Sequence, residues 1–519
     1  MGSVFSELQH LYSSANESIT WYSIVIYSVI LLASWVAYCW LIQPLMSPLR
    51  KVPGLPWNPF IGNMPDVMRG QAMESSSEWV EKYGPIVRYH FFFGTERLMV
   101  AHPDGLKHIM VNNSKNYIKP PGRMKAIKKF LGNGLVLSDG AEHRAQRKLI
   151  NPAFNTQSIK KMLPVFESCG KQLTELWHSR YEKLHGDNNY ADMEVGSDLL
   201  SMSLDAIGQC AFGYKFNALE SSLKKTDDES GTTHSFQRMI SGGGLSWKMM
   251  LPFWDKLPFE DVRKMNADSA MVQKTVFKVI NQKKAQLEQE EEKLTHDLLD
   301  MLVLARDEET GKGLSDLELK DQVMTFLLAG HETTSTGLSW ILLQMANHPE
   351  CQQKVRQEVQ EILPKDGTPI SWDDLDKLKY THAVIKETLR LLPPVPLTLR
   401  QALNDDVICG YFIPAETIIL LCPGVMMRQQ DSFDDPLKFN PDRFMNETND
   451  TNPYNFLPFL LGPRMCIGHK FAMAQMKLIL AMVVQEFQLA LDPVYTYKRK
   501  QRITMRPDPS LSLRVSPVD

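Results

Sequence analysis

One cysteine of this chain stands in a loop built to carry chemistry. Cys466 lies within Phe459-Leu460-Leu461-Gly462-Pro463-Arg464-Met465-Cys466-Ile467-Gly468, and an apolar helical pattern begins near Phe471. Nearby backbone N–H groups and the positive end of the following helix would stabilise a thiolate there, and the glycines let the backbone pass close to a bound group. A lone cysteine is most often an ordinary buried thiol, so the loop around it has to carry the argument. Upstream stands Ala329-Gly330-His331-Glu332-Thr333-Thr334-Ser335. Its small pair leaves room, its acid can handle protons, and its threonine hydroxyl can break a helical hydrogen-bond ladder locally. His331-Glu332 invites comparison with the zinc-protease pattern HExxH, but the fifth position is Ser335, so the second ligand is missing. Threonines merely packed within a helix are the plainer alternative. Glu387-Thr388-Leu389-Arg390 puts a carboxylate and a guanidinium on one helix face, although any surface helix can carry such a pair in water.

The cysteine loop resembles the cytochrome P-450 signature FxxGxRxCxG at every fixed position, and five matches in ten residues displace the buried-thiol alternative. The resemblance implies haem b (iron protoporphyrin IX), with Cys466 as the metal ligand and Arg464 on a propionate. Glu387 and Arg390 look like the family's ExxR motif, and Arg443 in Pro441-Asp442-Arg443-Phe444 resembles the third member of that cluster. This implies a structural triad locking the core behind the haem. Ala329 to Ser335 resembles [AG]Gx[DE]T[TS], which implies that Thr333 orients water and oxygen and that Glu332 links proton delivery to solvent. The family often carries WxxxR in an early helix. Here His143 replaces the tryptophan and can still donate a hydrogen bond, while Arg147 keeps the arginine. Arg400, thirteen residues after Glu387, matches a further propionate arginine. Expected pocket walls are Phe326 and Ala329, Val395 and Leu397 in the 395–399 turn, a loop from Tyr117 to Val136, and the apolar stretch Ser246 to Phe259.

These residues need elements to hold them. Ser315 with Glu318 forms a capping box, and His348-Pro349 ends the same pattern, predicting a helix from Ser315 to about Asn347 that spans about 48 Å at ~1.5 Å per residue. Strand-like pieces fall at Ile86–Phe92, Leu98–Ala101, Val395–Ala402 and Thr417–Leu421. Gln286 to Lys293, with four glutamates, reads as a solvated helix face, and Gly213 to Thr233 as a polar loop. The resemblance covers about residues 53–510. It implies a mainly α fold with a small β-rich lobe, preceded here by one N-terminal transmembrane helix.

That helix is predicted from Trp21 to Ile42, an uncharged run about 33 Å long against a bilayer core of ~30 Å. The first twenty residues hold no Lys or Arg and the apolar run exceeds a signal peptide's ~7–15 residues, so a retained anchor is expected. Glu7 and Glu17 precede it and Arg50 and Lys51 follow, which orients the body to the cytosol. The expected layout is a lumenal terminus at 1–20, the membrane helix at 21–42, a proline-rich connector at 43–65 and the haem-thiolate domain at 66–519. Asn16-Glu17-Ser18 is a glycosylation sequon on the lumenal side. A loose myristoylation pattern at Gly2 adds little to a chain with a spanning helix.

With 519 residues, 43% hydrophobic and 23% charged, the chain can bury a large core, and a net charge of −3 argues against a nucleic-acid-coating protein. Seven cysteines without a CxxC pair fit neither a disulfide scaffold nor a zinc cluster. The implied activity is a monooxygenase that puts one atom of O2 into a C–H or C=C bond of a lipophilic substrate. No dinucleotide fingerprint or iron–sulfur cysteine set is present in the sequence. Electrons are therefore expected from NADPH through a separate membrane-bound cytochrome P-450 reductase, with cytochrome b5 as a second donor. Arg144, Lys148 and Lys470 are the expected docking cations. The expected location is the endoplasmic reticulum membrane of a eukaryote, and the His143 variant points toward a fungal one. An oxygen-independent hydroperoxide isomerase or dehydratase of the same fold is the alternative, but such enzymes commonly lose the threonine and alter the cysteine loop. A non-catalytic membrane haem protein would have no need of Glu332 and Thr333.

Overall fold

The computed structural model describes residues 21–38, 42, 46–58, 60–224, 235, 238, 259–289, 297–306, 311, 313–364, 367–445 and 452–518. Its long helices are α1 (Glu74–Tyr83), α2 (Pro121–Leu131), α3 (Gly140–Ile150), α4 (Thr156–Leu184), α5 (Gly196–Phe212), α6 (Glu260–Gln289), α7 (Asp316–Asn347), α8 (Pro349–Ile362), α9 (Lys379–Leu391) and α10 (His469–Glu486). Strands β1 (Ile86–His90), β2 (Glu96–Val100), β3 (Tyr117–Ile118), β5 (Thr398–Ala402) and β8 (Ile418–Leu421) form a five-stranded sheet ordered β1-β2-β8-β5-β3. The order follows from one parallel pairing, Val100 beside Leu421, among otherwise antiparallel ones. A three-stranded sheet joins β4 (Ala191–Glu194), β12 (Ser512–Pro517) and β9 (Phe487–Leu491). Two hairpin pairs, β6 (Asp406–Ile408) with β7 (Tyr411–Ile413) and β10 (Lys498–Gln501) with β11 (Met505–Asp508), complete the β content. The fold is mainly helical with a small β-rich part, as the sequence led us to expect.

Helix α7 organises the body. Ser315 Oγ accepts from the Glu318 N–H at 3.3 Å while Glu318 Oε2 accepts from the Ser315 N–H at 2.8 Å, so both ends of the predicted capping box are made. His348 leaves helical geometry and Pro349 starts α8, giving the predicted stop. Nearly every residue from Leu319 to Ala346 is buried, as expected of a helix in the middle of a domain rather than on its surface. Its closest neighbour is α5. A Cβ on Gly330 would stand 2.8 Å from Ile207 Cδ1, so this glycine lets the two helices touch. Gly330 also lines the cavity described below, so the same glycine serves helix packing as well as the expected space.

Three other expectations change. The segment 117–136 is not a loop: β3 and α2 occupy most of it. The connector drawn at 43–65 packs earlier than its composition suggested, because Leu49, Val52 and Leu55 are core residues and the Asn63 N–H donates to His90 O at 2.7 Å. Prolines prevent a long continuous helix there, leaving a 3-10 turn at Pro48–Lys51, but do not keep apolar side chains out of a core. Gly213 to Thr233 holds a short helix, Ala218–Lys224, and its remainder from 225 lies outside the described residues. So do 246–258 of the expected pocket wall, 290–296, Asn16 and the rest of the first twenty residues. Residues 21–37 are helical with their large apolar side chains exposed. Among the described residues, no helix is long and apolar enough to cross a membrane.

Candidate active site

A cavity of about 320 Å3 lies between α7, α3, β5 and the cysteine loop. A larger surface depression of about 640 Å3, lined by Ser77, Glu81, Arg428, Asp431 and Lys438, contains no residue of any chemical motif, so volume alone does not choose the site. On the cysteine side of the smaller cavity, Gly462 adopts φ +68°, and a Cβ there would meet Met110 O at 2.1 Å. The Cys466 N–H donates to Phe459 O at 2.8 Å, closing the loop and leaving the thiol open to the cavity. Protein otherwise surrounds it, and that burial pushes the thiol above its usual range. The Gly468 N–H and the Arg147 guanidinium oppose the rise.

The opposite wall is α7, through Phe326, Ala329, Gly330, Thr333 and Thr334. Phe326 stacks on Phe154 with ring centroids 5.3 Å apart. The Thr333 hydroxyl donates to Ala329 O at 2.7 Å, four residues back, and the helix continues without a break. The expected local opening of the ladder is not seen; the hydroxyl adds a bond to that carbonyl instead. Glu332 is not on this wall. It is 1% exposed, accepts from Thr504 Oγ1 at 2.8 Å and lies 3.6 Å from Arg506 Nη1, on the side of α7 facing β11. Its Oε2 has no hydrogen-bond partner.

The rim carries positive charge. Arg147, Arg400, Arg464, His143 and Lys119 all line the cavity. Arg147 donates to Met465 O at 2.6 Å, and Arg400 to Leu399 O at 2.7 Å. Arg464 pairs with Asp139, and its Nη1 is buried without a partner. Burial first, then Arg464, Lys119, Arg147 and Arg400, hold the His143 pKa down to about 3, so this ring is neutral and free to donate one N–H. Of the other expected wall residues, Val395 lines the cavity. Leu397 does not; Val395 and Thr398 form the wall there, and Leu397 packs against the core.

Behind the site, Glu387 and Arg390 are both fully buried. Arg390 donates to Glu387 through Nε at 2.7 Å and Nη2 at 2.9 Å, while Arg443 Nε reaches the same carboxylate at 3.0 Å. The Asn440 N–H adds a fourth bond at 2.9 Å, and Arg390 Nη1 holds the Met427 and Pro436 carbonyls. The expected cluster forms in full, and neither Glu387 nor Arg390 touches the cavity.

A protein-family model described as Cytochrome P450 matches residues 52–514. The chain belongs to the cytochrome P450 family. Similar proteins include cytochrome P450 monooxygenase 128 of Postia placenta, 31% identical over 92% of this chain and 93% of the relative. The human ultra-long-chain fatty acid omega-hydroxylase is 31% identical over 81% of this chain and 79% of its own. Among solved structures, the cytochrome P450DA heme domain superposes with a TM-score of 0.77 at 26% identity, covering 90% of this chain and 98% of that one. This P450 is accordingly a monooxygenase, and proteins of its family bind haem b through a cysteine thiolate. The residues present fit that group. A thiol faces a cavity whose rim carries more cations than acids, and a buried Arg464 nitrogen awaits an acceptor, which suits a macrocycle bearing two carboxylates.

Sequence reasoning missed Phe154 and Ile207, and it did not single out Lys119 within the expected 117–136 wall or Asp139. Asp139 stands four residues before His143 and eight before Arg147, so an acid close to these two residues is visible in the sequence. Lys119 and Phe154 belong to no motif and are brought in only by tertiary packing.

Proposed function

We propose that this P450 is a reductase-dependent, haem-thiolate monooxygenase of lipophilic molecules, with Cys466 as the ligand of the haem iron. The supporting observation is the cavity itself: Cys466 on one wall, Thr333 on the other and a cationic rim between them. Bound haem supplies oxygen activation, favoured by electron donation from a thiolate. Arg147, Arg400, Arg464 and His143 hold its carboxylates. Thr333 positions water at the cavity wall, and Glu332, reached from the surface through Arg506, supplies protons from the other side of α7. Phe154, Ile207, Phe326 and Val395 exclude water and favour an apolar substrate. The name of the human relative makes a long acyl chain the first substrate to try. The apolar N-terminal segment supports membrane attachment beside an NADPH-dependent reductase in the endoplasmic reticulum, with cytochrome b5 as a second donor. Exposed Arg144, Lys148 and Lys470 form the docking face.

The test is the carbon monoxide difference spectrum of the reduced protein, followed by turnover with NADPH, reductase and a panel of long-chain acids. The expected result is a red-shifted thiolate band that disappears in Cys466→Ala. A wild-type protein lacking the band would overturn the assignment.

A further inference from the structure

We propose that Lys119 is an additional haem-binding residue, which holds a haem carboxylate. This inference rests on the haem-thiolate assignment above. Antiparallel pairing of β3 with β5 sets Tyr117 opposite Ala402 and Ile118 opposite Gln401, which brings the next residue, Lys119, beside Arg400. Pro120 and Pro121 follow at once and restrict the backbone there. The strand is anchored from below, since the Tyr117 hydroxyl donates to Asp406 at 2.5 Å. Lys119 therefore sits on a fixed base and opens to the cavity.

Charge supplies the second argument. Lys119, Arg147, Arg400 and Arg464 are four cationic groups on the cavity wall. Asp139 answers one of them through Arg464. No hydrogen bond or ion pair to Lys119 is present among the described residues, so this half-buried ammonium has no directly bonded anion. The charge of a ferric haem iron and the Cys466 thiolate would offset one another, so what the haem would bring to this wall is its two carboxylates, which Arg147, Arg400, Lys119 and the unpartnered Nη1 of Arg464 are placed to meet.

Without those carboxylates Lys119 is poised to lose its proton. Burial, then the Arg464 and Arg400 guanidinium groups, bring its pKa down to about 7; Asp139 opposes them and Lys128 adds to them. His143 and Arg147 face the same space from α3. A haem carboxylate beside the ammonium raises that value. The sign follows from linkage: a group whose pKa is raised by binding contributes affinity fully present below its free pKa and lost as pH rises through the two values. Haem retention owed to Lys119 is thus complete below about pH 7 and declines above it.

The full-length ferric holoenzyme tests this by haem transfer to excess apomyoglobin, followed in the Soret region between about pH 6.5 and 9. Wild type, Lys119→Met and Lys119→Arg are compared, with thermal denaturation of each to check folding. Lys119→Met should lose haem roughly tenfold faster than wild type at pH 7, the scale of one charge-assisted hydrogen bond. Lys119→Arg should hold haem at every pH, whereas wild type should approach the Met variant's rate as pH rises. Shared contributions, including thiol ionisation at Cys466, cancel in the comparison of wild type with the arginine variant. Equal rates for wild type and Lys119→Met, or one pH profile for wild type and Lys119→Arg, would overturn the inference. If wild type gave no thiolate–CO band, the haem-thiolate assignment itself would fall, which is a different result from equal rates in proteins that all show the band.

Discussion

Replacing Glu387 by Gln keeps the side-chain volume and removes only the negative charge, in a place where water cannot substitute. Arg390 would then be fully buried with its charge uncompensated, and one of its two bonds to Glu387 would meet a donor rather than an acceptor. Breaking a buried ion pair by removing one partner costs about 3–5 kcal/mol. Arg390 Nη1 keeps the Met427 and Pro436 carbonyls and Arg443 keeps the Asp434 carbonyl at 3.1 Å, so the lower half of that range is expected. Against a total stability of about 5–15 kcal/mol that is a large fraction. Urea unfolding monitored by circular dichroism, with haem content measured on the same samples, reads it directly. Turnover per bound haem should change little, because Glu387 does not line the cavity. The sharper test is the double variant with Arg390→Met. It removes the orphaned charge along with the acid, so its cost should fall at least about 2 kcal/mol short of the sum of the single costs. Additivity within about 0.5 kcal/mol would refute the claim that the two residues act as one buried pair.

Thr333→Val should retain the thiolate–CO band but divert oxygen to water and peroxide, with product per oxygen consumed falling severalfold; measuring oxygen uptake beside product decides it. Asp406 accepts from Tyr117, His108, Asn113 and the Val407 N–H, and these bonds outweigh burial to hold its carboxyl well below the usual range. Its contribution to stability is therefore present above about pH 4 and lost as pH falls below that. Asp406→Asn should be clearly less stable than wild type at pH 7, with the gap closing below about pH 4 in denaturant melts. Charge reversal at Arg144, Lys148 and Lys470 together should weaken reductase-driven turnover at low salt while peroxide-driven turnover is unchanged; equal reductase affinity would remove this face as the docking site.

What could be read from the sequence was local. The capping box joins Ser315 and Glu318, three positions apart, as are Glu387 and Arg390, so both are legible without any tertiary contact. Arg443 and Arg400 are placed by resemblance; packing sets Arg443 against Glu387 and Arg400 on the cavity wall. The misplacements share one cause. Leu397 was put on the cavity wall because it lies in the right turn, but which side chains of that turn face inward is set by the pairing of β5 with β8. Leu49 and Leu55 were assigned to a connector because prolines surround them, whereas their burial depends on β1 and β7, which come later in the chain.

Glu332 shows the same limit within a single helix. It is adjacent to Thr333 in sequence, yet successive residues of an α-helix point about 100° apart. Thr333 faces the cavity, and Glu332 turns to partners 172 and 174 residues further on, Thr504 and Arg506. The two cannot hand a proton to each other side by side. The proposed relay must cross α7, and the ladder there is occupied rather than open, because the Thr333 hydroxyl already donates to Ala329 O. Water entering the cavity near Thr333 must therefore compete for that hydroxyl. A valine at 333 leaves it no hydroxyl to win, whereas a serine offers one freer to rotate. Thr333→Ser should thus couple oxygen to product at near the wild-type ratio, and Glu332→Gln should slow turnover without opening that ratio. If Glu332→Gln instead uncoupled as strongly as Thr333→Val, the two residues would be acting on the same side of the helix, against their positions here.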